Sequence, residues 1–298
     1  MSKGLRGHLD LFLIASKVDG LSKSTLTYYR YQLGRFVDFC IRQGAQELPD
    51  VSPSVVRLFF LDLQESGNKP YSLLTYHKAV KRFFNWLVID GVLQTSPMVN
   101  IKAPRCPQYV VKPFSTDEIH RLLTVCSGQR LLDHRNKALI LTFLDTGLRL
   151  NEMSGIQLAD INFDRETIKV MGKGAKERYV RIGREAQKAL LRYILGRKDE
   201  LPCLWVTEER RPLTREGVKV TIRILCHRAE ITREKRGPHT FRHSFATMAI
   251  RNGANLFFVQ SILGHSTLQM VRRYAKSIDS EDAVKAHVKF SPVDNMRV

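Results

Sequence analysis

The chain has 298 residues, of which 43% are hydrophobic, and a formal net charge of +19 at pH 7. This length is comfortable for two domains with separate cores. The excess of positive charge attracts polyanions such as DNA or RNA and argues against a membrane or a small neutral molecule as the main partner, although charge alone leaves open a basic protein of ribosomal type.

Periodic apolar residues predict a compact unit of four or five helices over residues 1–101. A serine before a periodic stretch, as at Ser22 and Ser52, and a glycine after it, as at Gly44, mark helix starts and ends. The expected helices cover residues 8–16, 22–44 and 52–67, with a fourth that starts at Tyr71.

A proline-rich stretch separates this unit from the rest of the chain. Residues 96–113 contain four prolines and little periodicity. Proline fixes its own backbone and disfavours helix in the residue before it. We therefore predict an interdomain linker over residues 102–113 and a second domain over residues 114–298.

The second domain is predicted to be mainly helical with a small antiparallel β-sheet. Ser115 and the Thr-Asp-Glu that follows resemble a helix N-cap with acids in the first turn. Residues 167–182 alternate on both sides of Gly172-Lys173-Gly174, which indicates a β-hairpin. Further helices are expected from about residues 184, 214, 240, 256 and 267, with a last one over residues 279–289.

Five dispersed cysteines and the apolar pattern bear on the compartment. The cysteines form no C-x-x-C pair, which argues against a disulfide framework and a structural zinc site. No apolar run approaches the length of a membrane span, and the first residues lack the apolar region of a signal peptide. We expect a cytoplasmic protein with reduced thiols and no membrane contact.

The first chemical motif is T-G-L-R-L-N-E at residues 146–152. Gly147 allows a tight turn, after which Arg149 starts a helix with Glu152 three residues on. Because a helix N-terminus favours anions, an arginine there suggests a bound phosphate. The alternative is an ordinary surface pair between Arg149 and Glu152.

The second motif is the hairpin turn, in which Lys173 lies between two glycines and its ammonium is free to reach outward. Such a lysine can contact a phosphate or, if desolvated, act as a general acid. The alternative is a charged and solvated hairpin tip.

The third motif is H-T-F-R-H at residues 239–243. His239 and Arg242 are three residues apart, so they share a helix face, while Phe241 lies on another face and can anchor the helix in the core. His243 is expected to pack or to form a hydrogen bond. The pair is compatible with a phosphate, a metal or no ligand, and zinc is disfavoured because no further ligands lie at usable spacing.

The fourth motif is L-G-H at residues 263–265, followed nine residues later by Tyr274. Taken alone, such a tyrosine is most often a half-buried aromatic residue with a hydrogen-bonded hydroxyl.

In combination, these motifs resemble those of the tyrosine recombinase or phage integrase family. Arg149 and Lys173 are 24 residues apart, about the interval that this family places between its first arginine and its hairpin lysine. The resemblance covers both predicted domains and implies a SAM-like core-binding domain followed by a tyrosine recombinase catalytic domain. The two-domain layout looks Xer-like, whereas the residues around Tyr274 look closer to integrases of mobile elements.

The resemblance implies a DNA strand transfer through a 3′-phosphotyrosyl intermediate, without a metal, a cofactor or ATP. The implied roles are Tyr274 as nucleophile, Arg149 and Arg242 as ligands of the nonbridging phosphate oxygens, Lys173 as the general acid for the leaving 5′-oxygen, His239 as an aid to proton transfer or a support of the phosphate, and His265 as a hydrogen-bond donor to it.

The implied partner is double-stranded DNA with inverted-repeat core sites, bound by a homotetramer on two sites. The helix over residues 279–289 is expected to dock on a neighbouring protomer, the alternative being packing on its own domain. Candidate DNA contacts lie on polar helix faces, each with a merely solvated face as an equally good interpretation: Lys23, Thr25, Tyr28, Ser72, Thr75, Lys78 and Lys81.

Two other classes of protein share part of this pattern. A type IB topoisomerase-like nicking enzyme would use the same chemistry, although the simple hairpin, the spacing before Tyr274 and the core-binding helices favour recombination. A DNA-binding module without activity is disfavoured because all six implied catalytic positions are present.

Overall fold

The computed structural model describes residues 4–107, 112–172, 177–234 and 236–264. Within these ranges the chain is mostly helical with one small sheet, as expected, and it divides into two compact units, Met1–Tyr109 and Val110–Val298. The helices expected from residue 267 and over 279–289 lie outside the described residues. The linker boundaries at 102 and 113 stay a prediction.

The described part of the N-terminal unit, residues 4–107, contains four α-helices and one short 3₁₀ turn, Leu48–Asp50, which confirms the expected helical unit. Ser22 and Ser52 cap their helices as expected, because each side chain accepts a hydrogen bond from the first turn. The last helix begins at Pro70, because proline is favoured at the first helical position. The helices are α1 (Leu5–Val18), α2 (Lys23–Arg42), α3 (Pro53–Glu65) and α4 (Pro70–Ile89).

Aromatic rings fill the interior of this unit. Phe36 packs edge to face against Phe59 and Phe84, with ring centroids 5.1 and 5.8 Å apart. Phe12 meets Phe83 in the same geometry at 5.6 Å. Such pairs add to the hydrophobic stabilisation that comes from burying the apolar stripe of each helix.

The C-terminal unit is mainly helical. Ser115 caps the first of its helices, as the sequence predicts, and Glu118 completes a capping box. One helix begins at Pro238 and not at Thr240, again because proline suits the first helical position. No helix within the described ranges is long and apolar enough to span a membrane. The helices are α5 (Thr116–Thr124), α6 (Leu131–Thr146), α7 (Leu150–Gly155), α8 (Arg184–Leu195), α9 (Arg215–Arg228), α10 (Pro238–Arg251) and α11 (Leu256–Leu263).

The sheet has three antiparallel strands, β1 (Ile161–Asn162), β2 (Thr167–Met171) and β3 (Glu177–Arg181), in the order β1-β2-β3. Strands β2 and β3 confirm the predicted hairpin, with Ile168 opposite Val180 on the buried face. Strand β1 was not predicted, because two residues are too short to show an alternating pattern.

Helix α6 runs through the core of the unit and packs against α8 and α10. All of its residues are buried or half-buried. Its Thr142 and Thr146 hydroxyls donate to carbonyls one turn back, so they leave no unpaired donor. The chain leaves α6 at Gly147, where the candidate site begins.

Candidate active site

Gly147 turns the chain sharply at the end of α6. Its backbone is left-handed, with φ at 61°. A Cβ atom there would lie 2.5 Å from the Phe245 ring and 2.8 Å from the Leu263 side chain. The position therefore requires glycine both for its conformation and for space, which confirms the predicted tight turn.

Arg149 follows this turn and immediately precedes α7. Its backbone N–H donates to Glu152 Oε2 at 2.8 Å, and its Nη1 donates to Oε1 at 2.9 Å. The i,i+3 pair exists, but it is not a surface pair, because only 4% of the Glu152 side chain is exposed. The start of α7 therefore already carries an anion, and any phosphate binding by Arg149 rests on its guanidinium group.

Arg242 extends from α10 into the protein. It is buried, and it donates from Nη1 to the carbonyl of Gly147 at 2.8 Å and from Nη2 to the carbonyl of Leu263 at 2.7 Å. Phe241 anchors α10 as the sequence predicts, since its buried ring lies 4.7 Å from that of Phe114. Arg242 thus connects the turn after α6 to the end of α11.

The two histidines of this motif lie in different surroundings. His239, at the start of α10, is exposed, whereas Arg242 is buried, so the shared helix face does not give them the same environment. His243 is buried, which agrees with the packing role expected of it.

Three guanidinium groups converge on the C-terminal end of α11. The last carbonyls of a helix have no partner within the helix and carry partial negative charge, so cations are favoured there. Helix α11 ends at Leu263 and is capped by Gly264, whose φ of 61° is left-handed. The contacts are from Arg178 Nε to the Ile262 carbonyl at 3.0 Å, from Arg242 Nη2 to the Leu263 carbonyl at 2.7 Å and from Arg149 Nη2 to the Gly264 carbonyl at 2.9 Å.

Arg178, on β3, was not singled out from the sequence. Its Nη1 and Nη2 donate to the two carboxylate oxygens of Glu152 at 2.8 and 2.9 Å, and only 16% of its side chain is exposed. A signal was present, because Arg178 lies two and four residues before the buried Val180 and Ile182, and strand alternation puts all three on the inward face. A charge on the inward face of a strand needs a buried partner.

Glu152 is the carboxylate that both Arg149 and Arg178 contact. Burial raises the pKa of Glu152, but hydrogen bonds from the two arginines lower it by more, so its pKa lies below the ordinary value. Two guanidinium groups therefore contact one ionised carboxylate, and Arg242 adds a third positive charge at the end of α11. The excess of positive charge suits a phosphate, which arginine binds in bidentate geometry. Within the described ranges, no group of three or more His, Cys, Asp or Glu side chains is placed to hold a metal ion.

Three of the six candidate catalytic residues, Lys173, His265 and Tyr274, lie outside the described residues. Their neighbours in the sequence are described: β2 ends at Met171 before Lys173, β3 begins at Glu177 after it, and His265 directly follows Gly264. Of the remaining three, the structure brings Arg149 and Arg242 together at the end of α11.

The candidate DNA contacts belong to α2 and α4 of the N-terminal unit. Tyr28 donates its hydroxyl to the Thr75 carbonyl at 2.6 Å, so these two residues join the helices to each other. Ser72 is half-buried, and its backbone carbonyl accepts a hydrogen bond from the Thr75 hydroxyl. Thr25 pairs with the cap residue Ser22. The exposed cations of the set are Lys23, Lys78 and Lys81.

Both units match known families. Residues 112–281 match the phage integrase family, and residues 9–92 match the N-terminal SAM-like domain of phage integrases. The chain belongs to the phage integrase family. The resemblance to tyrosine recombinases is thereby confirmed, and with it the expected mainly helical fold with a small sheet.

Relatives of this recombinase match its sequence or its structure over nearly the whole chain. The tyrosine recombinase XerC of Anoxybacillus flavithermus is 32% identical over 275 residues, which cover 89% of this chain and 91% of the relative. The structure of the XerH site-specific recombinase bound to a palindromic difH substrate has a TM-score of 0.72 at 21% identity and covers 90% of this chain and 80% of that one.

A second structural relative is the Tn1549 transposon integrase in complex with a circular intermediate DNA. Its TM-score is 0.77 at 19% identity, and the match covers 95% of this chain and 99% of that one. These structures share the fold of this chain. The family match and the XerC relative identify the chain as a site-specific recombinase, an enzyme that cleaves and rejoins DNA.

Proposed function

We propose that this recombinase cleaves DNA with Tyr274 while Arg149 and Arg242 bind the scissile phosphate, without a metal or ATP. The observation that carries the proposal is the meeting of both arginines at the end of α11, one residue before His265. The two arginines are 93 positions apart in the chain. Their meeting at one helix end is therefore explained best by a shared ligand.

In the proposed step, the Tyr274 hydroxyl oxygen forms a bond to phosphorus and the bond to the 5′-oxygen breaks. The product is a 3′-phosphotyrosyl link and a 5′-hydroxyl, whose proton comes from Lys173. A phenol with a pKa near 10 must lose its proton at neutral pH; His239 accepts that proton, and the positive charge of the arginines favours the phenolate oxygen. His265 donates a hydrogen bond to the phosphate. One phosphodiester replaces another, so the reaction needs no energy source.

The arginines would act mainly in the transition state. Charge shifts onto the nonbridging oxygens as the new bond forms, and fixed donors stabilise it without reorganising. Their contacts with backbone carbonyls and Glu152 hold the guanidinium groups in place before DNA arrives.

The proposed partner is double-stranded DNA with inverted-repeat core sites, bound by a homotetramer on two sites in the cytoplasm. The DNA in the XerH and Tn1549 integrase structures supports this partner. Lys23, Lys78 and Lys81 are exposed and would contact the DNA backbone. The biological role would be integration or excision of a mobile element, or Xer-like resolution.

A nicked suicide duplex tests the nucleophile, because loss of the fragment beside the nick traps the covalent intermediate. The duplexes come from inverted repeats next to the coding sequence and from a pool with randomised half-sites, so the site need not be known. We expect a covalent adduct with the wild type and none with Tyr274→Phe, with or without EDTA. An adduct that persists in Tyr274→Phe would exclude Tyr274 as the nucleophile. Relaxation of supercoiled DNA without strand exchange between two sites would indicate a topoisomerase-like enzyme.

The same duplexes separate binding from chemistry for the arginines. We expect Arg149→Ala and Arg242→Ala to retain DNA binding and to lose about 10²–10³-fold in cleavage rate, as for removal of one donor to a developing oxyanion. Equal losses in binding and cleavage would make the two arginines binding residues only.

A further inference from the structure

We infer that Arg178 is a positioning residue for phosphate binding, acting through Glu152 on Arg149. The inference rests on the proposed function, because it concerns the same site. Arg178 is close to the candidate catalytic residues, and each of its three side-chain nitrogens donates to a protein acceptor, as expected of a side chain that holds other groups in place.

The Arg178–Glu152 contact is a bidentate pair, the geometry that best fixes a carboxylate. The same two oxygens of Glu152 accept the backbone N–H and Nη1 of Arg149. A carboxylate held only by Arg149 could rotate with it. With Arg178 in place, a second side chain holds both carboxylate oxygens of Glu152. The Arg149 guanidinium, which donates to the same carboxylate, is then held in one orientation.

Arg178 also holds the end of α11, through its Nε contact with the Ile262 carbonyl. The next two carbonyls in the chain, those of Leu263 and Gly264, accept hydrogen bonds from Arg242 and Arg149. One side chain thus connects β3, the carboxylate that orients Arg149, and the helix end that precedes His265. The register places Arg178 opposite Val170, one residue pair from the end of the hairpin.

Loss of Arg178 is therefore expected to slow cleavage while DNA affinity changes little. Without Arg178, Glu152 keeps only Arg149 as a partner among its described contacts, and the guanidinium of Arg149 gains freedom where the phosphate would bind. A displacement of about 1 Å in a positioned group costs up to about 10²-fold in rate. DNA affinity, which many phosphate contacts share, changes little.

The test compares Arg178→Met with Arg181→Met on the selected suicide duplex. Arg181 is on the same strand but pairs with Glu166 at the surface, where 80% of the Arg181 side chain is exposed. We expect Arg178→Met to cleave about 10- to 100-fold more slowly than Arg181→Met in a single turnover at saturating enzyme, with DNA affinity within about threefold. Melting temperatures ensure that the assay runs on folded protein. Arg178→Gln, which retains two N–H donors, gives the same comparison should Arg178→Met not fold.

A double-mutant cycle with Glu152→Gln tests the path of the effect. If Arg178 acts through Glu152, the double variant cleaves little more slowly than Glu152→Gln alone. A duplex with sulfur in place of the bridging 5′-oxygen needs no general acid, so it should rescue a Lys173→Ala variant and leave the Arg178→Met defect unchanged.

Several outcomes would overturn the inference while the wild type remains active. These are equal cleavage by the Arg178 and Arg181 variants, additive effects of the Arg178 and Glu152 substitutions, or rescue of Arg178→Met by the sulfur-containing duplex. A parallel loss of binding and cleavage by the folded variant would make Arg178 a DNA-binding residue and not a positioning residue. A wild type that forms no adduct on any duplex would instead overturn the proposed function, and this inference with it.

Discussion

The two units fill their interiors with different chemistry. Among the described residues of the N-terminal unit, Ser16 and His77 are the buried polar side chains, whereas the C-terminal unit buries several charges, including Asp133, Arg135 and Arg242. The N-terminal unit can be described almost entirely by apolar packing. The C-terminal unit cannot, because burying a charge is costly unless hydrogen bonds replace its water.

In the C-terminal unit, buried arginines are matched largely by backbone carbonyls. Arg197 pairs with Asp199 and also donates to the carbonyls of Leu201, Cys203 and Leu204. Arg242 similarly joins two separate turns. The comparison suggests that helix packing holds the first unit together, whereas arginines hold the loops and helix ends of the second, where chemistry requires fixed positive charge.

The largest expected effect on stability is in the aromatic core of the N-terminal unit. Phe59→Ala removes a ring that packs on Phe36 and is fully buried, which should lower the free energy of unfolding of this unit by about 3–5 kcal/mol. The chain has two tryptophans, Trp86 in this unit and Trp205 in the other, so urea unfolding of Trp86→Phe and Trp205→Phe backgrounds follows each unit separately.

We expect Phe59→Ala to shift the Trp86 transition and to leave the Trp205 transition in place. The matched control is Leu61→Ala on the same helix, since Leu61 is 48% exposed and its loss should cost little. An equal shift of both transitions would show that the units unfold together. The difference between the two units would then concern which residues are buried, and not how each unit is stabilised.

A smaller effect is expected at Gly147, where the second unit depends on backbone geometry. Gly147→Ala forces a left-handed alanine and a clash with Phe245 and Leu263. The strain should cost roughly 2–4 kcal/mol in the Trp205 transition and displace the carbonyl that Arg242 contacts. Gly155→Ala is the control, because a Cβ there would meet nothing within 4 Å. If both variants unfold alike, the turn is not the constraint.

The sequence predicts the parts of this fold that depend on local signals. The capped starts of α2, α3 and α5 follow from Ser22, Ser52 and Ser115, because a cap acts within one turn. Arg149 and Arg242 were identified through the resemblance of their motifs, and the structure brings them together.

The Arg178–Glu152 pair could not be assigned in the same way. The two residues are 26 positions apart, and strand alternation shows only that Arg178 points inward, not which carboxylate it meets. The choice of partner depends on how β3 packs beside α7 and α11, which no local pattern encodes. Likewise, periodicity gives no reason for three arginines to share the end of one helix.

The smallest expected effect is the pH dependence of Glu152, which tests whether charge holds the second unit together. Its pKa in the folded protein lies below the ordinary value, because hydrogen bonds from Arg178 and Arg149 outweigh the effect of burial. Such a group contributes stability that is fully present above its unfolded pKa, about 4.3, and is lost as pH falls through its folded pKa. Protonation weakens hydrogen bonds to a charged acceptor, worth about 1–3 kcal/mol together.

Glu152→Gln provides the comparison, because glutamine has the shape of the protonated acid. We expect the wild type to exceed Glu152→Gln in free energy of unfolding at pH 7, and the difference to shrink as pH falls below about 4. Urea unfolding followed by Trp205 fluorescence measures the free energy of unfolding of the wild type and of Glu152→Gln at each pH. The contributions of other carboxylates to the pH dependence cancel in the difference between the two proteins. A difference that is independent of pH would mean that the shape of Glu152, and not its charge, orders Arg149 and Arg178. Charge would then not stabilise the C-terminal unit at Glu152, and the two units would not differ in the way that their buried residues suggest.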